Sequence, residues 1–222
     1  MAVLIAFYSR AGENYFGGAY RRITVGNTEK AAELLAGLTG GALYKIEQAQ
    51  PYSDEYRTCI AEAKADLQRN ARPEVLNLPD DLDTYDEIYL GYPNYWGTMP
   101  MAVYTFLEQY DFTGKTIPSV PMRAATVPIP LRDIQKAEVG TAVTKELTIQ
   151  GSSVDSAKTA LVRWIWASRY EEMERAYSLV TAVRFLNAKN GSDYKFLLHF
   201  LPGLWYTAYG IRAMQFQPFV CN

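Results

Sequence analysis

The chain opens with an uninterrupted apolar run, Ala2-Val3-Leu4-Ile5-Ala6-Phe7-Tyr8, which breaks into Ser9-Arg10-Ala11-Gly12 and resumes at Val25-Gly26-Asn27-Thr28 before a helical pattern. A continuous apolar strand, not an alternating one, is what a parallel sheet covered on both faces requires. This stretch therefore predicts a buried strand that ends in a loop at the carboxyl edge of such a sheet. There the Ser9, Asn27 and Thr28 side chains, with backbone N–H groups around Gly26, suit a dianionic phosphate. The positive N-terminal end of the next helix would add to the attraction. The alternative is an ordinary strand–loop–helix connection whose Ser, Gly and Asn serve as turn formers.

The rest of the chain repeats the alternation. Glu29 to Leu38 places Ala31, Ala32, Leu34, Leu35 and Leu38 on one helical face, and Gly40-Gly41 stops the helix. Ala42 to Ile46 reads as a second strand. Between Pro51 and Asn70, Tyr56, Cys59, Ile60, Ala63 and Leu67 recur at helical spacing and predict a surface helix with one buried stripe. Tyr85 to Tyr92 is the third strand, Ala102 to Tyr110 a short helix, Gly114 to Pro118 the start of a fourth strand and Leu147 to Ile149 a fifth. A closing helix carries Val154, Ala157, Ala160, Leu161, Trp164 and Ile165, with Ser152 or Ser153 as its cap. The expected fold is α/β, a doubly wound five-stranded parallel sheet of order 2-1-3-4-5, with a C-terminal helical or irregular extension. We read residues 1–167 as the sheet domain and 168–222 as the extension. Ligands bind such sheets at the carboxyl ends of the strands near the switch point between strands one and three.

The third strand ends there, in Gly91-Tyr92-Pro93-Asn94-Tyr95-Trp96-Gly97-Thr98-Met99-Pro100. Tyr95 and Trp96, between Gly and Pro, offer flat apolar surface on which a planar ring could stack; otherwise they fold inward under the loop. Other chemistries have little material. His199 is the only histidine, which leaves classical triads and His-rich metal sites without parts. Cys59 and Cys221 form no metal or CxxC spacing, and Cys59 on its helical stripe reads as a packed thiol. Pro79-Asp80-Asp81-Leu82-Asp83 reads as a solvated loop. A formal net charge of −2 gives no reason to expect nucleic acid as a partner. The cysteine usage and an N-terminus without a basic leader point to the cytoplasm, and the apolar run around Phe196–Tyr206, broken by Pro202-Gly203, is shorter than the ~20 residues of a spanning helix.

Leu4 to Tyr15, Val25 to Glu29, Ala71-Arg72-Pro73-Glu74, Leu90 to Met101 and Gly151-Ser152-Ser153-Val154 together resemble bacterial flavodoxin-like FMN proteins over about Met1 to Ala167. The Gly-Tyr-Pro-Asn-Tyr-Trp-Gly-Thr-Met-Pro block is the most specific part. The resemblance implies that Ser9, Arg10, Gly26, Asn27 and Thr28 hold the FMN phosphate. It also implies that Pro93, Asn94, Tyr95, Trp96, Gly97 and Thr98 line the isoalloxazine ring, with Trp96 or Tyr95 stacked on it. The function implied is an electron carrier or small flavin-dependent reductase that serves a redox partner protein or a small-molecule acceptor. No side chain is needed as acid, base or nucleophile, since the cofactor carries the redox chemistry.

The resemblance lapses between Pro118 and Arg132. Family members tend to have Phe-Cys-Thr-His-Glu-Gly-Ser after this strand, where this chain has Ser119-Val120-Pro121-Met122-Arg123-Ala124-Ala125. Deleting a single T from TTC-TGT-ACC-CAT-GAG-GGC-AGC and reading on produces those seven residues, and family-like text returns at Arg132-Asp133-Ile134-Gln135. The segment is either a local frameshift, in the gene or its sequencing, or a divergent loop. The aromatic-rich tail from Ser168 is a second departure: with a helix over Arg169 to Leu186, it reads as an added helix pair packing on the domain, a homodimer surface or membrane-surface element, or another out-of-frame stretch. A second function class stays open on these departures: a degenerate scaffold that binds a protein or small molecule without flavin.

Overall fold

The computed structural model describes residues 2–123, 146–167 and 170. Its central sheet runs β4 (Ala42–Lys45), β1 (Val3–Phe7), β7 (Glu87–Pro93), β8 (Ser119–Arg123), β9 (Ile149–Gln150), with every neighbouring pair parallel. In chain order that is 2-1-3-4-5, the doubly wound arrangement expected from the sequence. All five residues of β1 are buried, because both of its faces are covered. Val3, Ile5 and Phe7 point into one apolar layer; Leu4 and Ala6 point into the other. Burying each of the larger side chains is worth about 1.5–3 kcal/mol, which pins the strand at the centre.

Helix α1 (Asn27–Thr39) seals the first layer with Ala31, Ala32 and Leu35, joined by Leu161, Trp164 and Ile165 of a helix, α4, over residues 158–167. Helix α3 (Met101–Gln109) seals the second with Ala102, Val103, Phe106 and Leu107, and α2 (Tyr56–Gln68) lies beside it. Gly40 ends α1 in the left-handed region at a φ of 73°, donating its N–H to Ala36 O at 2.8 Å. Glu55 caps α2 by accepting from Arg57 N and Thr58 N. As expected, α2 buries Cys59 and Ala63; it also buries Asp66, which the apolar pattern gave no reason to foresee.

Several boundaries differ from the sequence reading. Residues 12–23 form a hairpin of β2 (Gly12–Phe16) and β3 (Ala19–Ile23), and β5 (Glu47–Gln48) pairs with β6 (Val75–Leu76). The hairpin turns on Gly17 and Gly18, both at positive φ (61° and 79°), the geometry of a two-residue turn that favours glycine. Gly114 to Pro118 precede the fourth strand and join β7 by a bridge at Thr116 and by Pro118 O, which accepts from Leu90 N at 2.9 Å. Ser152 and Ser153 do not cap α4. They lie inside a 3-10 turn, Gly151–Ser156, which has no side-chain cap, and Ala160 is exposed where a buried position was expected.

Residues 119–123 form a strand despite the lapse in resemblance, because Val120 and Met122 alternate toward the α1 layer. The opposite face fits less well. Pro121 lies in a strand flanked on both sides, where it can donate no ladder hydrogen bond. Ser119 is fully buried opposite Leu90, and its Oγ has no hydrogen-bond partner among the described residues. An unsatisfied buried hydroxyl costs about 1–3 kcal/mol, so Ser119→Ala is expected to raise the denaturant midpoint without changing the slope. The remaining segment through Pro130 and, apart from Tyr170, the tail from Ser168 with the helix expected to Leu186, His199 and Cys221 lie outside the described residues.

Candidate functional site

Both sequence blocks meet at the carboxyl edge of the sheet, beside the switch point between β1 and β7. They border a cleft of about 260 Å³ whose walls include Ser9, Arg10, Asn27 and Thr28 at one end and Pro93, Asn94, Tyr95 and Trp96 at the other. Small-molecule cavities run from about 300 to 1,000 Å³, so this cleft lies just below that range. Gly26, Gly97 and Thr98 are absent from its walls. The sequence reading did not place Asn14, Tyr15 and Phe16 of the hairpin, Tyr56, Cys59, Ile60 and Ala63 of α2, or Gly151 at the cleft, and Met122 comes to it from the altered segment. The hairpin signal was present as Phe16-Gly17-Gly18-Ala19 between two short runs.

At the first end, Gly26 is the N-cap of α1 and makes no side-chain cap bond, having no side chain. Ser9 supplies the bond from across the loop, its Oγ accepting from Glu29 N at 3.0 Å. A hydroxyl used as acceptor still has its own hydrogen to donate, so Ser9 remains able to bind an anion. Gly26 allows this close approach: a Cβ there would lie 2.1 Å from Ser9 Oγ and 2.7 Å from Arg10 O. Thr28, only 4% exposed, and Asn27 complete this end. The Arg10 guanidinium, also at the cleft wall, has three of its five N–H groups bonded within the protein. Its Nε and Nη2 donate to Ser53 O at 3.1 and 2.6 Å and its Nη1 donates to Glu13 O, tying the hairpin to the start of α2.

At the second end the two aromatics separate. Tyr95 folds under the loop, edge-on to Tyr8 at 6.1 Å between centroids, with its hydroxyl 3.7 Å from Cys59 Sγ. Trp96 stays 52% exposed, its Nε1 donating to Ile60 O at 2.8 Å and its ring 4.9 Å from Lys64 Nζ. Its φ is 55°, a left-handed conformation that bulky residues rarely adopt. A tight turn holds it there: Tyr95 and Thr98 exchange backbone bonds at 2.8 and 3.1 Å, and Gly97 N donates to Asn94 Oδ1 at 2.9 Å. Thr98 Oγ1 lies 2.8 Å from Tyr104 Oη, away from the cleft. The turn thus keeps the exposed indole at the wall of the cleft in a strained backbone conformation.

Behind the cleft lies a buried polar layer. Tyr8 Oη donates to Gln48 Oε1 at 2.8 Å, and Tyr52 Oη donates to Asp66 Oδ2 at 2.7 Å. Burial pushes the Tyr8 and Tyr95 phenols and the Cys59 thiol above their ordinary values. All three therefore stay protonated near neutral pH, and Cys59 is a packed thiol, as its place on the α2 stripe indicated. Among the described residues no group of three or more His, Cys, Asp or Glu is placed to hold a metal, and no helix is long and apolar enough to cross a membrane.

The family model described as Flavodoxin matches residues 18–167, about two-thirds of the sequence. The chain belongs to the flavodoxin family. Solved structures agree on the flavodoxin fold. A protein assigned as a flavoprotein from Bacteroides uniformis ATCC 8492 superposes with a TM-score of 0.54 at 21% identity, covering 74% of this chain and 97% of that one. A second, similarly assigned, from Bacteroides eggerthii DSM 20697 gives 0.52 at 21% identity, covering 72% and 98%. No curated protein matches the chain. The matched range, residues 18–167, includes β8.

Proposed function

We propose that this cleft binds FMN and that the chain works as a flavodoxin-like redox protein, passing electrons to a partner protein or a small-molecule acceptor. The observation that carries the reading is the polarity of the cleft. Its Ser9, Asn27 and Thr28 end at the start of α1 suits a phosphate, and its Trp96 end suits a planar ring. The residues present fit the group: Ser9 keeps a donor, Gly26 lets the Ser9 loop pack against the start of α1, and a strained turn keeps the exposed indole at the cleft wall. FMN, when bound, supplies one- and two-electron transfer.

The protein's part is to bind and tune. Thr28, Asn27 and Ser9 anchor the phosphate; Trp96 covers one side of the ring; Tyr95 and Tyr8 support the loop from below. An apolar aromatic wall excludes water and disfavours charge on the reduced ring, which lowers its potential. Met122 takes part in the wall in place of the residues usual in the family, and this favours a second reading, a scaffold that has lost its flavin. A visible spectrum separates the two. Protein saturated with FMN and freed of excess is expected to be yellow with shifted absorption bands, while protein that elutes colourless would leave the scaffold reading.

A further inference from the structure

A second cavity, of about 410 Å³, lies between the hairpin, the start of α1 and the 3-10 turn. It meets the first at Phe16, Asn27 and Gly151, which line both. Asn27 is one of the side chains that suit a phosphate, so the two cavities join at that end of the cleft and not at Trp96. Most of the positive charge lies beyond this junction. The phosphate end carries the neutral Ser9, Asn27 and Thr28, and its one cation, Arg10, has three of its five N–H groups bonded within the protein. The second cavity carries Arg21, Arg22 and Lys30 against one carboxylate, Asp155. Lys30 Nζ is paired with Asp155 at 2.9 Å, and Arg22 reaches Asp54 at 3.6 Å, but both are surface pairs with carboxylates more than three-quarters exposed. Such pairs contribute little, so either cation can turn to another anion. Arg21 makes no ion pair among the described residues; its guanidinium carbon sits 5.6 Å from the centroid of the Phe16 ring.

We infer that the flavin this chain takes best is FAD, with its flavin half in the cleft and its adenylate half in the second cavity. This rests on the FMN reading of the cleft and extends it. FAD is FMN with an adenylate joined to its phosphate. The added half must therefore leave from the phosphate end, which is where the second cavity begins. A phosphate monoester concentrates close to two negative charges on one group near neutral pH, whereas the joined diphosphate spreads its charge over two. The cations match the second arrangement, with Arg10 at the first phosphate and Arg21, Arg22 and Lys30 in the cavity that the second would enter. Guanidinium forks pair well with phosphate oxygens, and bases stack on aromatic and guanidinium planes, both of which the Phe16–Arg21 pair supplies. The cleft alone falls below the usual volume of a small-molecule site; with the second cavity added it falls within it.

The test is calorimetric titration of the full chain with FAD and with FMN, in the parent, in Arg21→Ala and in Arg21→Lys. FAD is expected to bind about tenfold or more tightly than FMN, the scale of one charge-assisted contact. Arg21→Ala should close that gap by weakening FAD while leaving FMN where it was. Arg21→Lys should reopen part of it, and the thermal midpoint of the flavin-free protein should be unchanged in both. FAD bound no more tightly than FMN would overturn the inference and leave the FMN reading standing. A gap that persists in Arg21→Ala would also overturn it, since the adenylate would then lie elsewhere. Equal losses of FMN and FAD in that variant would do the same, because the cations would then serve the first phosphate. A chain that binds neither flavin would sink both readings.

Discussion

Gly26→Ala is expected to destabilise the protein by about 3 kcal/mol and to weaken FMN by an order of magnitude or more, an overpacking effect at the upper end of its usual range. The backbone is not the obstacle: Gly26 has a φ of −68° and a ψ of 149°, which alanine adopts without strain. The obstacle is contact, since the new methyl would sit 2.1 Å from Ser9 Oγ and 2.7 Å from Arg10 O. Ser9 can rotate away, but it then leaves Glu29 N without its acceptor and uncaps α1. The Arg10 carbonyl belongs to the main chain and cannot rotate, so the loop itself must move. Gly37→Ala is the control. It lies within α1 with nothing inside 4 Å of its Cβ position and should stabilise the helix by about 0.5–1 kcal/mol. Denaturant unfolding of both variants, with FMN titration, measures the contrast. Equal stability of Gly26→Ala and the parent would refute the tight packing of this loop.

Trp96→Ala is expected to weaken FMN and riboflavin alike, by about 1–3 kcal/mol, the usual worth of stacking a flat ring on an aromatic side chain. Fold stability should change far less. The substitution removes one indole hydrogen bond to Ile60 O and a cation contact with Lys64, while Ala at the same positive φ is no more strained than Trp. Trp96→Phe should recover most of the affinity without the N–H, which separates stacking from the bond to Ile60. Tyr95→Phe, by contrast, should leave affinity nearly intact, because its hydroxyl meets Cys59 rather than the cleft. A Trp96→Ala variant that binds riboflavin as the parent does would remove Trp96 from the ring site.

The sheet was legible because burial on two faces leaves a distinctive residue pattern. The runs at Val3–Phe7 and Glu87–Pro93 are apolar almost throughout, and the helices between them repeat at a helical period. The loop that joins β1 to α1 was legible as a strand-to-helix connection at the carboxyl edge of the sheet, where Ser9, Asn27 and Thr28 do line the cleft. The aromatic pair was legible as a pair, but which ring faces the cleft depends on the Trp96–Gly97 turn, a property of backbone dihedrals rather than of residue type. Arg10 was placed by resemblance on the phosphate, yet its guanidinium meets carbonyls of Glu13 and Ser53 that only the hairpin brings near. The hairpin itself carried its own signal in Gly17-Gly18, masked by the polar and aromatic residues around it. The α2 wall of the cleft was read as a buried stripe, since a residue pattern does not separate the lining of a cleft from packing against a neighbour.

Paired titrations with FMN and riboflavin, followed by flavin fluorescence in the parent chain and in Thr28→Ala, test the two-ended cleft most directly. In the parent both ligands should be quenched, and FMN should bind more tightly than riboflavin by at least about tenfold, because each charge-assisted bond to the phosphate contributes about 1–3 kcal/mol. Thr28→Ala should narrow that gap by weakening FMN and leaving riboflavin where it was. Flavin fluorescence that stays unchanged at high protein concentration, or equal affinity for the two ligands in the parent chain, would contradict the assignment of Ser9, Asn27 and Thr28 to a phosphate and of Trp96 to the ring.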